Sequence, residues 1–129
     1  MRLRRYALLS ALAFVLAAPA FAEEKHLGST RLSRQENDVD IIRMPACREK
    51  GRVSEVKLKV HKGTVEIEKL WVKFKNGEVD HLEVRQRIPE GGESRWIDLK
   101  GGKRCIASIG IIGDTERSRD EARVDFYGR

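Results

Sequence analysis

The segment Val56–Glu68, VKLKVHKGTVEIE, contains two runs of alternating apolar and charged residues that meet at Lys62-Gly63. Strict alternation is typical of a β-strand that has one buried face and one exposed face. Lysines occupy the polar positions before the glycine, and glutamates occupy them after it. The segment therefore predicts two strands whose charges either form a basic ligand-binding surface or neutralise each other in a hairpin.

A two-residue hairpin loop at Lys62-Gly63 would fix the register of both strands. Lys59 would then face Glu66, and Lys57 would face Glu68, while the apolar residues would share the opposite face. Each pair of opposite charges would contribute roughly 0.2–1 kcal/mol. We therefore favour a self-neutralised hairpin over a basic binding surface.

A second hairpin is predicted at Asn76-Gly77, since this dipeptide is the strongest short signal for a tight β-turn. A two-residue loop would place Lys73 opposite Asp80 and would leave Trp71 on the charged face. It would also turn Leu82 outward with the lysines. A one-residue shift at a bulge would correct this and is the alternative register.

The same period-two pattern recurs through the rest of the chain, and no segment shows a helical stripe. Turn signals rich in glycine and proline separate the runs. The fold class is therefore all-β, a single antiparallel β-sandwich of about eight strands, jelly-roll-like or barrel-like, with one disulfide. The predicted strands are 26–32, 39–44, 52–61, 64–75, 78–88, 95–99, 104–112 and 122–128.

The first residues have the pattern of a signal peptide. Three arginines precede an apolar run at residues 7–18, and Ala20-Phe21-Ala22 forms an A-x-A cleavage site. The apolar run is too short to cross a bilayer core of about 30 Å, which disfavours a retained anchor. We predict a signal peptide at 1–22, one domain at 23–129, a periplasmic or secreted location, and no membrane insertion after cleavage. The general and twin-arginine export routes both remain open.

Cleavage would change the charge of the chain. The whole sequence has 26 basic and 20 acidic residues, a net charge of +6. Three of the basic residues and none of the acidic ones precede residue 23, so 107 residues with a net charge of +3 would remain. That charge is ordinary for a soluble domain, and we therefore expect no nucleic-acid partner.

Cys47 and Cys105 are the two cysteines of the chain. In an exported protein they predict a structural disulfide, which would stabilise the fold by roughly 4 kcal/mol through the loop it closes. Two free thiols and a metal pair are the alternatives. The three histidines do not have the spacing of a zinc site, which disfavours the metal pair.

No nucleophile elbow, phosphate-binding loop, dinucleotide fingerprint or zinc-protease motif occurs in the sequence. We therefore expect no catalytic residues, no cofactor and no enzymatic activity.

One candidate binding site comprises Trp71, Arg85 and Arg87. The two predicted hairpins place no acid opposite either arginine, and an indole beside such arginines could stack on a sugar or hold an anionic group. The alternative is that Trp71 is buried in the core or under a loop.

A weaker candidate is a calcium site made of Asp38, Asp40 and Asp114. The acidic loop at 36–40 offers oxygen atoms at alternate positions, but it lacks the glycine and the distal glutamate of an EF-hand loop. A solvated turn is the favoured alternative.

Several segments, in the same order, resemble the YaaI-type family of small periplasmic proteins, a group defined by a domain of unknown function. The resemblance covers nearly all of the chain after residue 22 and implies a secreted β-rich domain with one disulfide. It implies no activity and no site residues. The segments are Leu27-Gly28, Met44–Arg48, Leu70–Phe74, Trp96–Leu99 and Lys103–Ile109.

These observations favour an exported, non-enzymatic binding or accessory domain for an envelope glycan, an anionic polymer or a protein. A structural or stress-protective envelope protein without a small ligand is the alternative. An enzyme that acts on envelope polysaccharide is the third hypothesis.

Overall fold

The computed structural model describes residues 24–33, 39–44, 47, 52–84, 86–115 and 121–129. The described residues contain no helix long and apolar enough to cross a membrane. They form ten β-strands: β1 (Lys25–Leu32), β2 (Val39–Arg43), β3 (Arg52–Val53), β4 (Glu55–His61), β5 (Val65–Phe74), β6 (Val79–Leu82), β7 (Gln86–Ile88), β8 (Ile97–Asp98), β9 (Arg104–Asp114) and β10 (Ala122–Gly128).

The strands form two antiparallel sheets. Sheet A has the order β1-β10-β4-β8, and sheet B has the order β2-β9-β5-β6, with β3 also paired to β9 and β7 also paired to β5. The predicted all-β fold is confirmed. The strand number is higher than expected because two of the predicted strands, 52–61 and 78–88, are each divided in two.

The core consists of the apolar side chains that alternate along both sheets. Leu58 on β4 and Phe126 on β10 are at most 1 % exposed, as are Val72 on β5 and Ile109 on β9. Burying each such side chain stabilises the fold by about 1.5–3 kcal/mol. The apolar residues that alternate in the sequence therefore point into the core, and most of the polar residues between them point to the outer surface.

The predicted strand 52–61 is divided at Ser54. Before it, β3 pairs with β9 of sheet B; after it, β4 pairs with β10 of sheet A. The Ser54 amide donates a hydrogen bond to the Arg129 carbonyl at 2.8 Å, and the Leu99 amide donates to the Ser54 carbonyl at 2.9 Å. These bonds satisfy the backbone where the chain changes sheets.

The predicted hairpin at Lys62-Gly63 is wrong. β4 pairs with β10 and β8, whereas β5 pairs with β6, β7 and β9, so the loop carries the chain from sheet A to sheet B. Lys59 has Asp125 as its Cα partner and does not face Glu66. Alternation specifies which side chains are buried, but two strands in opposite sheets bury their apolar faces just as well as two strands in a hairpin.

The predicted hairpin at Asn76-Gly77 is confirmed, but with the shifted register. Trp71 pairs with His81, and Leu70 pairs with Leu82, which is 7 % exposed. The two-residue register would have turned Leu82 toward solvent, so burial of this side chain explains the shift.

The loop of that hairpin contains three residues. The Phe74 amide donates to the Glu78 carbonyl at 2.9 Å, and the Gly77 amide donates to the Phe74 carbonyl at 3.0 Å. Gly77 has a φ of 92°, a left-handed conformation that glycine adopts without steric cost. A three-residue loop with glycine at this position is the common alternative to the two-residue turn.

Cys47 and Cys105 form the predicted disulfide, with their Cα atoms 5.6 Å apart. Cys105 lies near the start of β9, between Arg52 on β3 and the Lys75 amide, which donates to the Cys105 carbonyl at 3.0 Å. The bond therefore ties residue 47 to one end of sheet B.

Replacing both cysteines by alanine should lower the free energy of unfolding by up to about 4 kcal/mol, because the bond closes a long loop in the unfolded chain. Urea unfolding of the oxidised protein and of the double variant measures the difference. Intact mass should show two hydrogens fewer in the native protein than after reduction. Equal unfolding midpoints for the oxidised and the reduced protein would contradict the stabilising role.

Candidate functional site

The outer face of sheet B is the surface of that sheet that points away from the core, and Trp71 lies near its centre. Trp71 pairs with Gly110 on β9 and with His81 on β6. A Cβ atom at position 110 would lie 2.0 Å from Cε2 of the indole, so the ring covers the glycine backbone. Trp71 is half-buried and does not belong to the core.

Exposed apolar side chains accompany Trp71 on this face. Ile41 on β2 pairs with Gly110, and Val39 lies two residues before it on the same side of the strand. Val79 on β6 pairs with Lys73, two residues after Trp71. Val39, Ile41 and Val79 are 53 %, 54 % and 49 % exposed, and they are the exposed large hydrophobic side chains in the described part of the chain.

Of the three predicted site residues, the structure describes Trp71 and Arg87, and it places them well apart along sheet B. Arg85 lies outside the described residues. Arg87 is exposed on β7 and has Glu66 on β5 as its Cα partner, so an acid does stand opposite this arginine. Glu66 precedes Trp71 by five positions on β5, which corresponds to roughly 16 Å at the rise of a β-strand.

Two clefts follow the edge of sheet B between Arg87 and His81, and Glu68 lines both of them. Glu68 lies where the pairing of β5 with β9 shifts, between Ile67 and Lys69. The first cleft, of about 400 Å³, is lined by Glu66, Ile67, Glu68, Gln86 and Arg87. The second, of about 610 Å³, is lined by Glu68, Lys69, Leu70, His81, Leu82, Glu83 and Val84.

In both clefts the acidic lining residues outnumber the lysines and arginines. An anionic ligand would therefore meet like charges here, and these clefts do not support the anionic part of the predicted site.

The structure describes two of the three calcium candidates. Asp38 lies outside the described residues, Asp40 is half-buried within β2, and Asp114 is buried within β9. Asp40 and Asp114 are thus strand residues and not loop residues. In the described ranges, no group of three histidine, cysteine, aspartate or glutamate residues is arranged to hold a metal ion. The calcium site stays a prediction.

The outer face of sheet A carries an ionic cluster that the sequence did not reveal. Lys57 is 6 % exposed, and its Nζ lies 2.8 Å from a Glu24 carboxylate oxygen and 3.6 Å from one of Glu93. The same ammonium lies 4.6 Å from the centroid of a Trp96 ring. The hydrogen bond from Lys57 lowers the pKa of Glu24 despite the opposing effect of desolvation.

Lys59 lies beside this cluster. Its Nζ is 3.7 Å from both Glu24 and Glu93, and 4.7 Å from the centroid of the Tyr127 ring. The basic stripe of the sequence is therefore neutralised, but by acids that are distant in the sequence and not by the predicted hairpin partners.

A buried carboxylate joins three strands of the same face. Asp125 on β10 is 3 % exposed. Its oxygens lie 2.9 Å from Nε2 of His26, 3.1 Å from Nε2 of His61 and 3.3 Å from Nη2 of Arg123. Burial by itself would raise the pKa of Asp125, but the His26 hydrogen bond, with Arg123 and His61, outweighs burial and lowers the pKa.

This arrangement pairs the Asp125 carboxylate with Arg123 and both histidines. We read it as a stabilising cluster that ties β1 and β4 to the central strand β10. In the sequence, Asp125 alternates with apolar residues along β10, which indicates that it lies on the outer face of the sheet. The alternation does not indicate which residues of other strands contact it.

The family model of a domain of unknown function, DUF2541, matches residues 7–128, and the chain belongs to this family. No curated protein and no solved structure matches the chain. The family description assigns no function, so no residue role is transferred from it.

Gly110→Ala should force the indole of Trp71 off the strand, because the added methyl group would overlap the ring. We expect a loss of roughly 1–3 kcal/mol in the free energy of unfolding, as for other overpacked sites. In a Trp71→Ala background the same change should cost much less. Urea unfolding of the four proteins measures the coupling. Equal losses in both backgrounds would contradict the contact.

Asp125→Asn should lower the free energy of unfolding at pH 7 by about 1–3 kcal/mol, since the two histidines and Arg123 lose a charged acceptor. The folded pKa of Asp125 is lower than its unfolded value, so its ionised form stabilises the fold above the ordinary value of 3.8. That contribution is lost as the pH falls through the folded pKa.

Unfolding measured from neutral to acidic pH tests this prediction. The natural protein should lose more stability below about pH 4 than the Asp125→Asn variant does. Glu68→Gln is the matched control, because this exposed carboxylate has no ion pair among the described residues. An acid-side loss of equal size in the natural protein and the Asp125→Asn variant would refute the assignment.

Proposed function

We propose that this protein is an exported, non-enzymatic accessory domain that binds another envelope protein through the outer face of sheet B. The observation that carries the proposal is the position of Val39, Ile41 and Val79. All three are about half-exposed, and all three flank Trp71 on one face. Contiguous exposed apolar residues mark interaction surfaces, and half-buried tryptophans are frequent anchors within them.

The apolar residues form a continuous surface and not isolated points. Ile41, Gly110, Trp71 and His81 are successive partners across β2, β9, β5 and β6. At the usual strand spacing this row is roughly 14 Å long. The two central strands, β9 and β5, have neighbours on both edges and hold Gly110 and Trp71, so little conformational freedom would be lost there on binding.

The surroundings of the apolar row suggest the chemistry of the partner. Lys69 and Lys73 lie two residues before and after Trp71 on the same face, and Arg43 lies beyond Ile41. Basic residues around an apolar centre fit a partner whose apolar patch is bordered by carboxylates. Aliphatic neighbours around the indole also favour a protein over a glycan, because a sugar requires several hydrogen-bonding groups.

The export part of the proposal rests on the N-terminal sequence. The arginines, the apolar run and the A-x-A site at Ala20–Ala22 support cleavage and a periplasmic or secreted location. The resemblance of the sequence to the YaaI-type family of small periplasmic proteins supports the same location. Cell fractionation and an N-terminus at Glu23 would test it.

A photo-crosslinking amino acid placed at Ile41 should give a discrete protein adduct in living cells. The same probe at Arg31, exposed on β1 in sheet A, should not give that adduct. Val79→Asp should abolish the adduct, because it adds a charge that repels an acidic partner to an exposed position. Lys62→Gln, in the exposed β4–β5 loop, changes the net charge by the same amount, is the matched control and should leave the adduct unchanged.

The identity of the adduct follows from mass spectrometry, and a purified partner should bind with the same dependence on Val79. A structural or stress-protective role without a partner would give no discrete adduct from Ile41. Adducts of equal yield from Ile41 and Arg31 would refute the assignment of this face.

A further inference from the structure

A third cleft, which we call the basic cleft, lies at the end of sheet B where β3, β9 and β5 run side by side. Its volume is about 390 Å³. Four of its seven lining residues are cations, and none is acidic. The lining residues are Arg52, Phe74, Lys75, Asn76, Lys103, Arg104 and Cys105.

Arg104 is held in position at the base of this cleft. Its guanidinium carbon lies 3.6 Å from the centroid of the Phe74 ring, and its side chain is 17 % exposed. Nη1 donates to the Lys100 carbonyl at 3.2 Å and lies 3.1 Å from a Glu78 carboxylate oxygen. A guanidinium fixed in this way loses little entropy when it binds an anion.

The other three cations have no such compensation. Arg52, Lys75 and Lys103 are exposed, and within the described part of the chain none of them has an ion-pair partner. The backbones of Arg52 and Lys75 are nevertheless fixed, since Cys105 pairs with Arg52 and accepts a hydrogen bond from the Lys75 amide at 3.0 Å. The disulfide of Cys105 further restrains this end of the sheet.

The lining distinguishes the basic cleft from its neighbours on sheet B. The two clefts along β5 each contain two carboxylates, whereas the basic cleft contains none. Convergent like charges repel one another, and a bound anion would relieve this repulsion. Lysines elsewhere in the molecule, such as Lys57 and Lys59, are instead matched by Glu24 and Glu93.

We propose that the basic cleft binds an anionic phosphoryl group. Guanidinium and ammonium groups are the usual ligands of phosphate oxygens, and Arg52 and Arg104 provide the planar donors that phosphate binds best. The volume is near the lower limit for ligand sites, which suits one or two phosphoryl groups. Free phosphate or pyrophosphate and the headgroup of an anionic lipid share this chemistry. The proposal does not depend on the protein-binding face of sheet B.

Isothermal titration of the purified protein with pyrophosphate at low ionic strength tests the site. We expect saturable binding that weakens as salt is added. The double variant Lys75→Gln/Lys103→Gln should bind pyrophosphate at least about tenfold more weakly. The matched control Arg31→Gln/Lys62→Gln removes the same charge from exposed positions of β1 and the β4–β5 loop, and should bind normally.

Vesicles identify the source of the phosphoryl group. If phosphatidylglycerol vesicles bind through Lys75 and Lys103 and pyrophosphate displaces them, the natural ligand is a lipid headgroup. If pyrophosphate binds and the vesicles do not, the ligand is a free phosphoryl compound.

Two results would overturn the proposal. One is equal weakening of pyrophosphate binding in the cleft variant and in the matched control, which would mean that net charge alone drives association. The other is the absence of binding to phosphate, pyrophosphate and phosphatidylglycerol vesicles at low ionic strength. Circular dichroism of each variant shows whether it is folded, so that a loss of binding reports on the cleft.

Discussion

The pairing of β9 along both of its edges is the constraint on which sheet B depends. β9 bonds to β2 and β3 on one side and to β5 on the other, so almost all of its backbone is committed. Gly110 lies in this strand because only a residue without a side chain leaves room for the indole of Trp71. The same strand begins at Arg104 and carries Cys105. The outer face of sheet B around Trp71 and the basic cleft therefore both depend on the position of β9.

The outer faces of the two sheets differ in whether their charged side chains have partners of opposite charge. On sheet A, buried Lys57 and buried Asp125 are surrounded by opposite charges and rings, so little uncompensated potential remains. On sheet B, the centre is apolar around Trp71, and the end near Cys105 collects cations that have no acid among the cleft residues. Compensated charges stabilise a fold, whereas exposed apolar groups and unmatched cations retain the capacity to bind. This difference is the reason that we propose a stabilising role for the cluster on sheet A and a binding role for sheet B.

Binding through strands, as proposed for sheet B, would have a physical consequence for specificity. The positions of Ile41, Trp71 and Val79 are set by hydrogen-bonded ladders and not by flexible loops. The disulfide and the three-residue hairpin loop at Gly77 similarly fix the walls of the basic cleft. Binding on such elements costs little ordering entropy, which allows a small surface to be selective.

The sequence by itself determined the all-β class, most of the buried apolar positions, the disulfide and the signal of a turn at Gly77, because alternation, cysteine number and turn chemistry can be read along the chain without knowledge of strand pairing. Only the tertiary structure decided that β4 and β5 belong to different sheets, and that Glu24 and Asp125, not Glu66, neighbour Lys59. It also decided that Trp71 lies outward over a glycine. Strand pairing is a choice among distant segments whose apolar faces are equally suitable, and that choice depends on how the whole core closes. The sequence pattern of a single strand therefore does not indicate which strands it pairs with.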